Sequence, residues 1–142
     1  MTGDAAMEGV RSLLKAPAAA VLTTYRKDGS AAVSPVWFRW NDDAFEVVIA
    51  RDDVKLRHLA RDPRCALVVF EAVPPFRGLE VRGMSELVEG DVGSIQADIA
   101  KRYLGARDGA RFVAARRSTP GVVLRLACKD PHVWDLSAIL PR

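Results

Sequence analysis

Basic residues are concentrated in one short stretch of the chain, ARDDVKLRHLARDPR, at residues 50–64. Asp52 or Asp53 can cap a helix that begins there, which places Lys55 in its first turn and Arg51 just before it. Unpaired backbone N–H groups and the positive end of the helix dipole favour an anion at such a position. Lys55 and Arg51 are therefore candidates for holding a phosphate, although the two aspartates place negative charge at the same spot.

The alternative is an ordinary solvated helix in which aspartate and lysine pair along the chain. Helical spacing puts Lys55, His58 and Asp62 on one polar face, and it puts Leu56 and Leu59 on an apolar face that can pack against the rest of the protein. Taken alone, the stretch favours the solvated helix.

A proline interrupts the strand-like run VSPVWFRW at residues 33–40. Pro35 cannot donate a hydrogen bond to a strand ladder, which indicates a sheet edge, a bulge or backbone that faces something other than a strand. In an extended chain Trp37 and Phe38 point to opposite sides, so one faces outward when the other faces the core. An outward aromatic side chain here can form the wall of a site for a flat ring. The alternative is that a helix or a second subunit covers it.

Common catalytic motifs are absent from the sequence. It contains no GxGxxG, GxxxxGK[ST], GxSxG or HExxH, which leaves the dinucleotide, P-loop, hydrolase and zinc-protease classes without a signal. Cys65 and Cys128 have neither a CxxC spacing nor a nearby histidine, so they are interpreted as core residues and no metal site is expected. His58 and His132 are far apart in sequence, and no catalytic residue is assigned.

The charge and hydropathy of the chain limit its partners. The formal net charge is only +3, and the aromatic residues do not interleave with the basic ones, which argues against a nucleic-acid partner. No segment approaches the roughly 18 apolar residues of a membrane span, and the N-terminal sequence MTGDAAMEGV lacks a secretion signal. The sequence predicts a cytoplasmic protein without membrane contact.

The elements that position these residues follow from periodicity and turn signals. The 142 residues, 49% of them hydrophobic, suffice for one domain over residues 1–142. Helices are predicted at 4–15 with Asp4 as a candidate cap, from near 52 to the segment before Pro63, at 91–104 and near 109–116. Strands are predicted at 18–25, 30–40, 44–50, 64–73, 79–88, 121–130 and 132–136. The first three form a meander, and Gly83 marks a bulge or a close approach. Six or seven mostly antiparallel strands favour a closed or nearly closed barrel, which removes exposed edges, over an open sandwich.

The run LTTYRKDGSAAVSPVWFRWNDDAFEVVIARDDVKLRHLARDPRCALVV resembles the N-terminal core of the pyridoxamine 5′-phosphate oxidase-like split β-barrel proteins. The segments RGMSELVEGD and GVVLRLACKDPHVWDL continue the resemblance over nearly the whole chain. The sequence is most similar to the short members that bind the deazaflavin coenzyme F-420. The resemblance implies a mainly β protein with helices (α+β), a six- to seven-stranded antiparallel split β-barrel of the FMN-binding type. It also implies a homodimer with cofactor sites at the subunit interface.

Carried over position by position, the resemblance implies cofactor contacts from Ser34, Pro35, Val36, Trp37, Ala50, Arg51, Lys55 and His58. The first four match the strand along the ring, and Lys55 matches the lysine on the phosphate. His58 stands where the deazaflavin-binding members often have asparagine. Val54 replaces a second basic residue of the true pyridoxamine phosphate oxidases, and Trp134 lacks their following Arg-x-x-Arg, so that activity is not expected.

The implied function is an F-420-dependent oxidoreductase that transfers hydride to a small unsaturated organic substrate. The alternatives are an FMN-dependent oxidoreductase of the same fold and a protein that binds a flavin or deazaflavin without catalysis. A structural module that binds neither cofactor also stays open. Taken alone, residues 50–64 favour a solvated helix. Together with the family pattern and the proline-containing strand, they favour a phosphate site.

Overall fold

A computed structural model describes the backbone of residues 3–141 and the side chains of residues 7–141. Within that range the chain forms three helices, nine strands and one turn of 3-10 helix. The helices are α1 (Gly3–Lys15), α2 (Val54–Arg61) and α3 (Val92–Ala115), and the 3-10 turn is Ser137–Ile139. The strands are β1 (Ala19–Tyr25), β2 (Ala31–Val36), β3 (Arg39–Asn41), β4 (Ala44–Ile49), β5 (Arg64–Phe70), β6 (Gly78–Met84), β7 (Glu86–Val88), β8 (Val122–Ala127) and β9 (His132–Trp134). The predicted mainly β class with helices is confirmed.

The strands form two antiparallel sheets. One has the order β2-β1-β5-β6-β9, and the other has the order β3-β4-β8-β7. Within residues 3–141 the strand pairs do not close into a continuous barrel, so the expectation of closure is corrected to two open sheets around a shared core. β2 is an edge strand, so a sheet edge, the first of the three possibilities indicated by Pro35, is the one observed.

The predicted strand over 30–40 is two strands in different sheets. β2 pairs with β1 across the turn at Asp28 and Gly29, as the hairpin signal predicts, whereas β3 pairs with β4. Between them the backbone N–H of Phe38 donates to the hydroxyl of Tyr103 at 3.3 Å, so it serves no strand ladder. Both pairings of the predicted meander are present, but they lie in different sheets because the chain changes sheet at Trp37 and Phe38.

The predicted strand over 79–88 also divides. Its two parts, β6 and β7, lie in different sheets, and the intervening Ser85 N–H donates to the carbonyl of Pro63 at 2.7 Å. A methyl group at Gly83 would lie 3.2 Å from Leu126 Cδ1, which accounts for a glycine at this close approach. These two divisions account for the nine strands within residues 3–141, against the predicted six or seven.

The two helical pieces predicted after residue 90 are both present and meet inside α3. Gly105, with φ of 85° and ψ of 172°, interrupts the helical backbone there. The second piece lies tightly against the first, because a methyl group at Gly109 would be 2.9 Å from the backbone nitrogen of Lys101. Ala100 and Lys101 therefore leave space for nothing larger than glycine.

The core lies between the sheets and beneath α1, whose Val10 and Leu14 are almost fully buried. Its largest fully buried side chains include Phe38, Phe45, Leu14, Leu22, Leu67, Leu79, Leu124 and Leu126. The predicted cap at Asp4 concerns a side chain outside the described residues.

Candidate functional site

A cavity of about 830 Å³ opens beside the end of β4. β4 lies in the middle of its sheet, with β3 on one side and β8 on the other, so the segments that follow or precede these strands meet at this end. Its lining includes Val48, Ile49 and Ala50 at the end of β4. Residues 35–37, residues of α3, Arg116 and residues 118–121 also line it.

The register of β4 and β8 fixes which residues meet at the cavity. Ile49 pairs with Val122, which brings the segment after β4 next to the segment before β8. The two backbones approach so closely that a methyl group at Gly121 would lie 2.6 Å from the carbonyl oxygen of Ile49. Arg51 and Pro120 are thereby held at the same end of the cavity.

Six of the eight residues implied by the family resemblance line this cavity. They are Pro35, Val36, Trp37, Ala50, Arg51 and Lys55. These residues come from three separate parts of the chain, the end of β2, the turn after β4 and the first turn of α2. Ser34 and His58 are outside the lining.

His58 lies on the inner side of α2. It is buried, and its Nδ1 is 3.0 Å from the hydroxyl oxygen of Thr24 on β1. The expectation that His58 shares a polar face with Lys55 is therefore wrong, because α2 packs this side chain against the sheet together with the buried Leu59. The predicted apolar side of α2, with Leu56 half-buried and Leu59 buried, is confirmed.

Both cations predicted to hold an anion have carboxylate partners. The side chain of Asp53 caps α2 by accepting from the backbone N–H of Lys55 at 2.9 Å, and its other oxygen accepts from Lys55 Nζ at 2.8 Å. Arg51 Nη2 lies 2.9 Å from Glu89 Oε1. Burial raises the pKa of Asp53, but the hydrogen bonds from Lys55 outweigh it, so the pKa is lowered below its usual 3.8 and the carboxyl stays ionised. An anionic ligand must compete with these acids.

Aromatic rings form one side of the cavity. Phe38 is fully buried, while Trp37 is 36% exposed, so Phe38 faces the core and Trp37 is the more outward of the two. Trp37 stacks on Tyr103, with ring centres 5.2 Å apart and planes 9° from parallel, and Phe112 contacts it at the same centre distance with a tilt of 48°. Tyr103 is fixed because its hydroxyl donates to the carbonyl of Ala18 at 2.9 Å. Burial raises the pKa of Tyr103 and keeps it protonated.

Part of the lining was missed by the sequence interpretation. The additional residues include Gln96, Ile99, Ala100, Phe112, Arg116, Ser118 and Thr119. Those on α3 are not separable from core residues by spacing, because which face of a helix meets a cavity depends on packing. Arg116, Ser118 and Thr119 stand in the polar run ARRSTPG, which is a turn signal and was the only available hint.

Other kinds of site have no support in the described residues. Among them, no three His, Cys, Asp or Glu side chains cluster in a way that could hold a metal ion. Burial raises the pKa of both Cys65 and Cys128 to about 11, so each thiol is protonated near neutral pH and is a poor nucleophile. No helix in the described part of the chain has the length and apolar character needed to cross a membrane.

Comparison with known proteins agrees with this architecture. A conserved hypothetical protein from Mycobacterium tuberculosis superposes with a TM-score of 0.80 at 19% identity, covering 100% of this chain and 90% of that one. An F-420 reductase gives a TM-score of 0.69 at 26% identity, with 86% and 94% covered. The heme storage protein HutZ from Vibrio cholerae gives 0.69 at 16% identity, with 90% and 92% covered.

No curated protein matches the sequence closely enough to be counted as a relative. The sequence match that identifies the chain is to a family, and it extends over residues 6–135, which include every cavity residue. The chain belongs to the pyridoxamine 5′-phosphate oxidase family.

Proposed function

We propose that this protein is an oxidoreductase that binds coenzyme F-420 in the cavity beside β4 and reduces a small unsaturated organic molecule. The observation that carries the proposal is the cavity itself, whose lining combines the rings of Trp37 and Phe112, the cations Arg51 and Lys55 and the end of β4. Similarity to an F-420 reductase across 86% of the chain supports the choice of cofactor.

The residues present fit a flavin-type cofactor. A volume of about 830 Å³ lies within the range of small-molecule sites. Pro35, near the end of β2, carries no N–H, and Trp37, just after β2, presents part of its ring, so this part of the chain offers an apolar surface. Arg51 and Lys55 both line the cavity, and a phosphate held by them would displace Glu89 and Asp53.

A bound deazaflavin would supply the hydride, which the side chains of this protein do not. The residues of the chain bind and orient. Lys55 and Arg51 hold the phosphate, while Val36 and Trp37 support the ring and restrict water. Among the described lining residues there is no histidine, and the acids are ion-paired or exposed, so we assign the proton that accompanies the hydride to solvent.

FMN is the second candidate for the cofactor, because the same ring surface and the same cations would hold it. The likeness to a heme storage protein keeps a non-catalytic binding role as a third candidate. A titration of the purified protein with F-420 and FMN separates them: the proposal predicts tighter binding of F-420, and oxidation of the reduced coenzyme when an acceptor is added. Tight binding with no turnover of any acceptor would support the non-catalytic role.

Lys55→Ala tests the phosphate contact. Loss of a charge-assisted hydrogen bond is expected to weaken binding of either cofactor by about tenfold or more, measured by fluorescence titration. Arg57→Ala is the matched control, since Arg57 is an exposed cation on the same helix and lies outside the cavity. Equal cofactor affinities for the Lys55 and Arg57 variants would show that Lys55 does not hold the phosphate.

A further inference from the structure

Arg116 is the third cation of the cavity, and its surroundings differ from those of the other two. Arg51 and Lys55 each have a carboxylate within 3 Å, whereas no described side chain forms an ion pair with Arg116. Its guanidinium carbon lies 3.8 Å from the centre of the Phe112 ring instead. A ring face leaves the edge of the guanidinium, with its N–H donors, free for another partner.

The chain around Arg116 crosses the cavity. At one end of this segment Phe112 contacts Trp37, which precedes β3. At the other end Gly121, just before β8, lies against the backbone of Ile49 in β4. β3 and β8 lie on opposite sides of β4. Residues 112–121 therefore bridge the end of β4, and Arg116 lies within that bridge, over the space beneath it.

We infer that Arg116 binds the carboxylate of a planar organic acid whose apolar body lies against Phe112. The inference rests on the proposed function, which assigns the cofactor phosphate to Arg51 and Lys55, and it names the class of the hydride acceptor as an unsaturated or aromatic acid. The planar guanidinium matches a carboxylate through two parallel hydrogen bonds. The aromatic rings beside it match a conjugated body.

A purely structural role for Arg116 makes a different prediction. Arg116 is the C-cap residue of α3, where a positive side chain stabilises the helix dipole, and its contact with Phe112 contributes cation–π energy. Arg117 has the same charge at the same helix end but does not line the cavity. Helix stabilisation applies to both residues, while carboxylate binding applies to Arg116 alone.

The test is calorimetric binding of trans-cinnamate and of its uncharged amide, cinnamamide, to the full chain without cofactor. We expect the wild type and Arg117→Gln to bind cinnamate about tenfold more tightly than the amide. We expect Arg116→Gln to lose this preference, and Arg116→Lys to keep only part of it because an ammonium cannot form the two-bond pair. Thermal unfolding of each variant verifies that the comparison is between folded proteins, and the lysine variant carries the test if Arg116→Gln does not fold.

Three results would overturn the inference. The first is no binding of cinnamate by the wild type, or equal binding of cinnamate and cinnamamide. The second is the same loss in Arg116→Gln and Arg117→Gln. The third is that Arg116→Gln weakens FMN binding and leaves riboflavin binding unchanged, while inorganic phosphate competes with FMN for the wild type. Arg116 would then hold the cofactor phosphate. Failure of the proposed function is separately visible as absence of F-420 and FMN binding in the wild type.

Discussion

Lys55 and Arg51, two of the cations at the cavity, are each paired with a carboxylate. Asp53 stabilises the start of α2 and at the same time neutralises Lys55, and both effects come from hydrogen bonds shorter than 3 Å. The lowered pKa of Asp53 means that this pairing persists at neutral pH. The cost of releasing Lys55 to a ligand is therefore set by one carboxylate, which a single substitution can remove without disturbing the helix cap.

Asp53→Asn is expected to increase the affinity for FMN by about two- to fivefold, because a partly exposed ion pair contributes up to roughly 1 kcal/mol. Asparagine caps helices as well as aspartate does, so the stability of α2 should be retained. Fluorescence titration gives the affinity, with riboflavin as the ligand that lacks the phosphate. Asp62, at the far end of α2, is paired with Arg64, and Asp62→Asn should leave the affinity for FMN unchanged. Weaker FMN binding by the Asp53 variant would contradict the phosphate assignment.

At the scale of elements, the cavity depends on a broken helix. α3 changes direction at Gly105, and its second piece returns close to the first at Gly109, carrying Phe112 and Arg116 over the cavity. A straight helix would carry these residues away from Trp37. The glycines are therefore needed for different reasons, Gly105 for a positive φ and Gly109 for the close approach of two backbones.

Gly105→Ala should destabilise the protein by about 1–2 kcal/mol, because an L side chain is strained at a φ of 85°. Gly93→Ala is the matched control in the first turn of the same helix, where a methyl group meets nothing within 4 Å. That change should be neutral or stabilise by up to about 1 kcal/mol through helix propensity. Urea unfolding provides both values. Similar stabilities for the two variants would mean that the break at Gly105 does not require glycine.

At the scale of the whole molecule, the site is open on one side and large apolar side chains remain on the surface. Val33 on the edge strand β2 is 64% exposed, and Val73 and Ile139 are 61% and 76% exposed. Of these only Val33 lies at a free sheet edge, where apolar side chains are often covered by a partner. The family resemblance implies a homodimer, and we propose that it forms and completes the cofactor site at the subunit interface.

The homodimer predicts a mass of twice 15.5 kDa by sedimentation equilibrium. Because burial of apolar surface would drive association, the dimer should persist in high salt, unlike one held by surface ion pairs. Cofactor affinity should fall when the protein is diluted below the dimer dissociation constant. A single-chain mass at every concentration, or affinity independent of dilution, would contradict a site shared between subunits.

Local chemistry in the sequence determined most of the elements. The Asp28–Gly29 turn, the edge position of Pro35, the cap at Asp53 and the break between two helical pieces each depend on residues within a few positions of one another. The family pattern then predicted Arg51 and Lys55, which do lie in the cavity. Whether they contact a cofactor stays a prediction.

Only the tertiary structure decided which side chains share a space. His58 is buried because Thr24, 34 positions earlier, lies opposite it on β1, and Arg116 reaches the cavity because α3 folds back at Gly105 and β8 pairs with β4. The divisions of the predicted strands at 37–38 and at Ser85 likewise follow from packing two sheets around one core. Such contacts join residues distant in sequence, and periodicity within one segment carries no information about them.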